Sequence, residues 1–159
     1  MDRRHAPLVT QALEVLNPAL AHDVIDSGTG PALALALRQV MNEKGIAGIM
    51  ADRLAGADPG LPAPFMGGTA WLPEAPWRWA AALGAPVLLC FGLYRGGNRY
   101  DLHFELFSDA HLPIPRADRA KYVQDCVERY AARLEVYARM APYNWFNFYD
   151  FWTDEASGN

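Results

Sequence analysis

Apolar positions recur every three or four residues over 117–140, where Tyr122, Cys126, Tyr130, Leu134 and Tyr137 fall on one stripe. That spacing predicts an amphipathic helix, the longest in the chain, ended by Pro142. Asp125/Arg129 and Glu135/Arg139 stand four residues apart on it, the spacing of ion pairs on a helix surface. Between Arg99 and Phe107 the period changes to two. Tyr100, Leu102, Phe104 and Leu106 alternate with Arg99, Asp101, His103 and Glu105, which predicts a half-buried antiparallel strand at a sheet edge. Its polar face, with His103, is expected in solvent. The preceding run, Pro86 to Tyr94, is unbroken apolar sequence and reads as a buried strand, joined to the next by a turn at Arg95-Gly96-Gly97-Asn98.

Earlier segments add alternating helix and strand signals. A helical pattern over 6–16 is stopped by Asn17-Pro18, and His22 to Asp26 suits a short strand. After the turn residues Ser27 to Gly30, Pro31 opens a helix that runs to Lys44, with Gly45 placed to cap it. Ile46 to Met50 then reads as a buried parallel strand, completing a βαβ unit. From Leu54 to Pro76 the period is lost among glycines and prolines, as in a long functional loop. Trp77 to Leu83 is a short helix ended by Gly84. The expected class is α/β: a mixed, mostly parallel sheet flanked by helices, with an antiparallel edge hairpin and a long C-terminal helix, in a single domain over residues 1–159.

Composition narrows the functional classes. Charged residues make up 20% and hydrophobic residues 52%, the balance of a globular protein. A net charge of −4 without a Lys/Arg run argues against nucleic acid. The two cysteines, Cys90 and Cys126, have no metal-ligand spacing and are expected to be buried free thiols in a reducing compartment. Neither metal nor cofactor is implied. The apolar runs are too short to span a membrane and the start leads into no signal-like segment, so the chain is expected to be soluble or at most peripheral. Seven of the ten residues from Tyr143 to Trp152 are aromatic, a stretch that must be packed, set against a membrane surface or held against a ligand.

Two segments could carry chemistry. Asp52-Arg53 follows the expected parallel strand, where open α/β sheets bind ligands. The aspartate can accept a bond from a hydroxyl and the arginine can hold a phosphate or carboxylate bidentately; a turn-forming aspartate with a salt-bridged arginine has the same spacing. In Phe65-Met66-Gly67-Gly68-Thr69, glycine lets backbone amides approach an anion or oxyanion, although an ordinary tight loop has the same composition.

The order of Ile49-Met50-Ala51-Asp52-Arg53, Pro64-Phe65-Met66-Gly67-Gly68-Thr69-Ala70, Leu72-Pro73, Ala80 to Val87 and Arg133 to Phe146 resembles the second half of the lipid A biosynthesis (lauroyl/myristoyl) and lysophospholipid acyltransferases. The ending Pro-Tyr-Asn-Trp-Phe-Asn-Phe-Tyr-Asp-Phe-Trp is closest to a predicted glycolipid acyltransferase branch of that superfamily. The resemblance covers roughly His5 to Trp152. It implies transfer of a fatty acyl group from acyl carrier protein or acyl-coenzyme A to a hydroxyl of a lipid or glycolipid, at the cytoplasmic face of the inner membrane. Asp52, Arg53, Phe65, Gly67, Gly68 and Thr69 would line the acceptor or oxyanion side. The family's base is the histidine of a His-x-x-x-x-Asp or -Glu motif. Here the residues at that spacing are Thr10, Ser27, Ser108 and Arg116 after His5, His22, His103 and His111. The expectation is therefore the C-terminal portion of such an enzyme, inactive alone. The alternative is a non-catalytic lipid-binding or interaction module that uses the aromatic run.

Overall fold

The computed structural model describes residue 25, residues 31–54 and 60–146, and residues 151–152. The chain divides into two compact units, Met1–Gly48 and Ile49–Asn159. The expected helix over 6–16 lies outside the described residues, as does the strand over 22–26 apart from Ile25.

In the first unit, helix α1 spans Pro31–Asn42. It ends two residues before the expected Lys44. Lys44 takes the left-handed conformation (φ 56°), its N–H bonds the Met41 carbonyl, and the Gly45 N–H bonds that of Val40. These two bonds are a Schellman cap with lysine at C′ and glycine just after it.

The parallel strand expected over 46–50 is not formed. Ile46 is 96% exposed and Met50 70%, and both sheets among the described residues are two-stranded and antiparallel. An apolar run marks a buried strand only where a neighbour supplies the other half of the hydrogen-bond ladder.

In the second unit, the presumed loop contains a hairpin, β1 (Leu61–Phe65) and β2 (Gly68–Leu72). Met66 (φ 53°) and Gly67 (φ 89°) make its two-residue turn, the doubly positive φ combination of type I′. The pairs are Phe65↔Gly68, Pro64↔Thr69, Ala63↔Ala70, Pro62↔Trp71 and Leu61↔Leu72. Hydrogen-bonded and non-hydrogen-bonded pairs alternate outward from such a turn. Pro62 and Pro64 therefore fall at the positions whose N–H would point away from β2, and the ladder loses nothing. Ala63, Phe65, Ala70 and Leu72 face inward and are fully buried.

Helix α2 (Ala75–Leu83) starts with Pro76 in its first turn and stops at Gly84 (φ 65°), whose N–H caps onto the Ala80 carbonyl. Strands β3 (Val87–Tyr94) and β4 (Tyr100–Ser108) form the second hairpin, turning through Gly96 and Gly97 as expected. Helix α3 (Arg119–Met140) follows, with a 3-10 turn at Pro142–Asn144. Its buried stripe, Val123, Cys126, Val127, Tyr130, Ala131, Leu134, Tyr137 and Ala138, packs on both hairpins and on Trp77 of α2. Of the two expected ion pairs on α3, Glu135–Arg139 forms at 2.7 Å. Arg129 instead donates to the Phe107 carbonyl and lies 4.2 Å over the Phe107 ring.

The alternation of β4 is present, but its sides are reversed. Glu105 and His103, with Leu89 and Phe91 of β3, face α3, whereas Leu102, Phe104 and Leu106 face solvent, each about 60% exposed. Cys90 is exposed on that same outer face, contrary to expectation, while Cys126 is buried.

Candidate functional site

Helix α3 gathers both segments singled out in the sequence. Ala51 packs against the core beside it, which holds Asp52 and Arg53 in a bend at the core's rim. Arg53 Nη2 donates to Asp52 Oδ2 at 2.6 Å, and the arginine side chain is half exposed. Across from them stands Tyr130 of α3. Burial, and secondarily the Asp52 carboxylate, push its hydroxyl pKa well above the usual phenol value, while Arg53 opposes the shift. Tyr130 thus stays protonated at any physiological pH. The pair remains open to solvent on the arginine side, so a hydroxyl and an anionic group could meet it together.

About one and a half helical turns further along α3, Glu135 receives the Met66 N–H of the β1–β2 turn at 2.7 Å. This bond, and next the guanidinium of Arg139, hold the Glu135 carboxyl below the usual carboxylate range. The turn expected to offer the amides around Gly67-Gly68 to an anion thus already holds a carboxylate of the chain itself, on the preceding Met66 amide. Phe65 is buried, with its ring against Trp145, Phe151 and Trp152, and its carbonyl accepts the Trp152 indole N–H at 3.0 Å. A Cβ on Gly68 would lie 2.6 Å from Trp152 Cδ1, so glycine is what lets the indole lie across the hairpin. Gly67 faces open space and Thr69 is exposed. Trp145, Phe151 and Trp152 of the aromatic run are thus packing elements that close the first hairpin.

None of the known protein-family models, curated proteins or solved structures compared with this chain matches it.

A third polar constellation escaped the sequence reading. Glu105 of β4 accepts two bonds from Arg133, from Nε at 2.7 Å and from Nη2 at 2.5 Å, and one from the Tyr137 hydroxyl at 2.6 Å. The arginine, then the tyrosine, hold its carboxyl below the usual range, and Glu105 in turn raises Tyr137. The His103 ring lies 5.1 Å from that of Tyr137, with its Nε2 enclosed and without a hydrogen-bond partner. A glutamate on the alternating strand, and arginine and tyrosine four residues apart on one helix face, were the available signals. Because Glu105 is fully engaged by its donors, the cluster fixes β4 on α3; it is not a proton relay. A shallow cavity of about 310 Å³, lined by Tyr122, Asp125, Cys126, Glu128 and Arg129, includes none of the candidate site residues Asp52, Arg53, Phe65, Gly67, Gly68 and Thr69. Among the described residues no group of three His, Cys, Asp or Glu side chains could hold a metal ion, and no helix is long and apolar enough to cross a membrane.

Proposed function

We propose that this chain is the acceptor-side portion of a fatty acyl transferase, receiving acyl groups from acyl carrier protein or coenzyme A for a hydroxyl of a lipid or glycolipid at the cytoplasmic face of the inner membrane. The observation that supports this reading is that Asp52-Arg53 and the β1–β2 turn both lie against α3, the first beside Tyr130 and the second at Glu135, with the Arg53 side chain half exposed. In the reaction, the acceptor oxygen bonds to the thioester carbonyl carbon, the C–S bond breaks, and the acceptor proton must leave to a base. Asp52 would accept the hydrogen bond of the acceptor hydroxyl and Arg53 would hold a neighbouring phosphate or carboxylate. The base is the part this chain lacks, and losing such a group costs on the order of 10³–10⁶ in rate.

Two measurements test the proposal. The chain should bind a phosphorylated glycolipid in mixed micelles, with Arg53→Ala weakening binding roughly tenfold at unchanged circular dichroism. It should transfer no labelled acyl group from acyl carrier protein to that glycolipid. Unchanged affinity in Arg53→Ala removes the assigned role, and robust transfer by the wild-type chain sinks the reading of an incomplete site.

A second reading, a lipid-binding module, is favoured by Tyr143 and Phe146, which stand 91% and 65% exposed beside the packed rings. Removing residues 143–152 would also remove Phe151 from the core. Co-sedimentation of Tyr143→Ser/Phe146→Ser with anionic vesicles is therefore the cleaner comparison, and binding equal to wild type ends the anchor idea.

A further inference from the structure

The outer face of the β3–β4 hairpin consists of four cross-strand pairs, Leu88↔Leu106, Cys90↔Phe104, Gly92↔Leu102 and Tyr94↔Tyr100. None is charged. The six large side chains among them are roughly half to two-thirds exposed. At about 200 Å² per large side chain, these exposures sum to roughly 700 Å², above the roughly 300–600 Å² of the largest patch on a typical monomer. Buried whole, they approach the ~800 Å² per partner of a standard interface. The only Asp and Glu residues of the two strands are neutralised within the protomer, Asp101 by Arg95 and Glu105 by Arg133.

From this geometry we infer that the face is the interface of a homodimer, in which two copies pack their β3–β4 hairpins face to face about a two-fold axis. A self-facing interface must tolerate every residue meeting its own kind. This face does, having no charge to repel its image and no charge pattern that would select a different partner. Packing of aligned sheets about 10 Å apart needs side chains that interdigitate. Gly92 supplies the gap: a Cβ there would meet only Leu102 Cδ2, at 3.5 Å, so the notch beside Leu102 can take Phe104 of the second copy. Cys90 lies next to the centre of the face, so the two copies bring their Cys90 thiols near the axis. The other thiol, Cys126, is buried and burial pushes its pKa up, so it cannot stand in for Cys90.

The experiment is light scattering and sedimentation velocity on the full chain across the micromolar range, with a short bis-maleimide as cross-linker. The expected species has twice the 17.6 kDa chain mass. Phe104→Glu should weaken dimerisation by about 100-fold or more, as for a central interface anchor. Its circular dichroism should be unchanged, because the ring points away from the core. If Phe104→Glu fails to fold, Leu102→Lys makes the same test from the neighbouring pair. Cross-linking should give a covalent dimer in wild type and none in Cys90→Ser. A monomer at every concentration, a dimer indifferent to both face variants, or a dimer that Cys90 does not cross-link overturns the assignment. So does a monomer that binds phospholipid vesicles in a Phe104-dependent way, which would give the face to lipid.

Discussion

If Phe65 and Trp152 hold the end of the chain against the first hairpin, truncating them should reveal an energetic coupling across 87 positions of sequence. Phe65 is 1% exposed and touches three aromatic rings, so Phe65→Ala should cost about 3–5 kcal/mol, the usual range for a core phenylalanine. Trp152 is 45% exposed; losing the buried part of its ring costs about 2–3 kcal/mol by area. Its indole bond to the Phe65 carbonyl adds about 1 kcal/mol. The rings of the two residues lie 6.4 Å apart at 22°, a stacked pair, for which a coupling of about 0.5–1.5 kcal/mol is typical. The double variant should therefore be less destabilised than the sum of the singles by that amount. Urea titrations followed by far-UV circular dichroism give all four stabilities, with Phe65→Ala lowering the midpoint by roughly 2 M. Should Phe65→Ala be unfolded without urea, Phe65→Leu carries the same cycle at smaller cost. Strict additivity, or a Trp152→Ala variant within about 0.5 kcal/mol of wild type, would refute the clasp and return the tail to solvent or membrane.

Two further outcomes follow from single contacts. A Cβ on Gly84 would stand 2.1 Å from the His111 carbonyl oxygen at φ 65°, whereas one on Gly67, at φ 89°, meets nothing. Gly84→Ala should thus be clearly more destabilising than Gly67→Ala, whose cost is the ~1–2 kcal/mol of a left-handed alanine alone; equal urea midpoints would remove the steric argument. Glu105 and Glu135 have carboxyl pKa values lowered in the folded state, by Arg133 and by the Met66 amide first. The stability they contribute is complete above the unfolded glutamate pKa of about 4.3 and is lost as pH falls through the lower folded values. Stability measured from pH 6 downward should therefore fall below about pH 4.3, and Glu105→Gln should flatten that fall; an unchanged slope would show that the Arg133 fork contributes nothing.

The parts legible in the sequence were those where local period and packing agree. The stripe from Cys126 to Tyr137 is buried as its spacing requires, with Tyr122 partly buried, Gly84 ends its helix, and Gly96-Gly97 turns the second hairpin. Three features were hidden for physical reasons. Pro62 and Pro64 look like strand breakers, yet at alternate outward positions they cost no ladder bond. Ile46 to Met50 has the composition of a buried strand, but composition cannot supply a partner. In β4 the period of two fixes which residues share a face, not which face is covered. A bidentate arginine waiting on α3 drew the glutamate inward. Of the candidate site, the engagement of the Met66 amide by Glu135, 69 residues away, could not be read in advance.

The prolines of β1 have one more effect. Because the amides they replace are those directed away from β2, the outer edge of that strand offers acceptors and almost no donors. A stray extended chain, from another copy or from a partly unfolded one, has nothing there to zip onto. At this edge, association is steered away from strand addition, the route that leads to fibres, and toward contacts made through side chains.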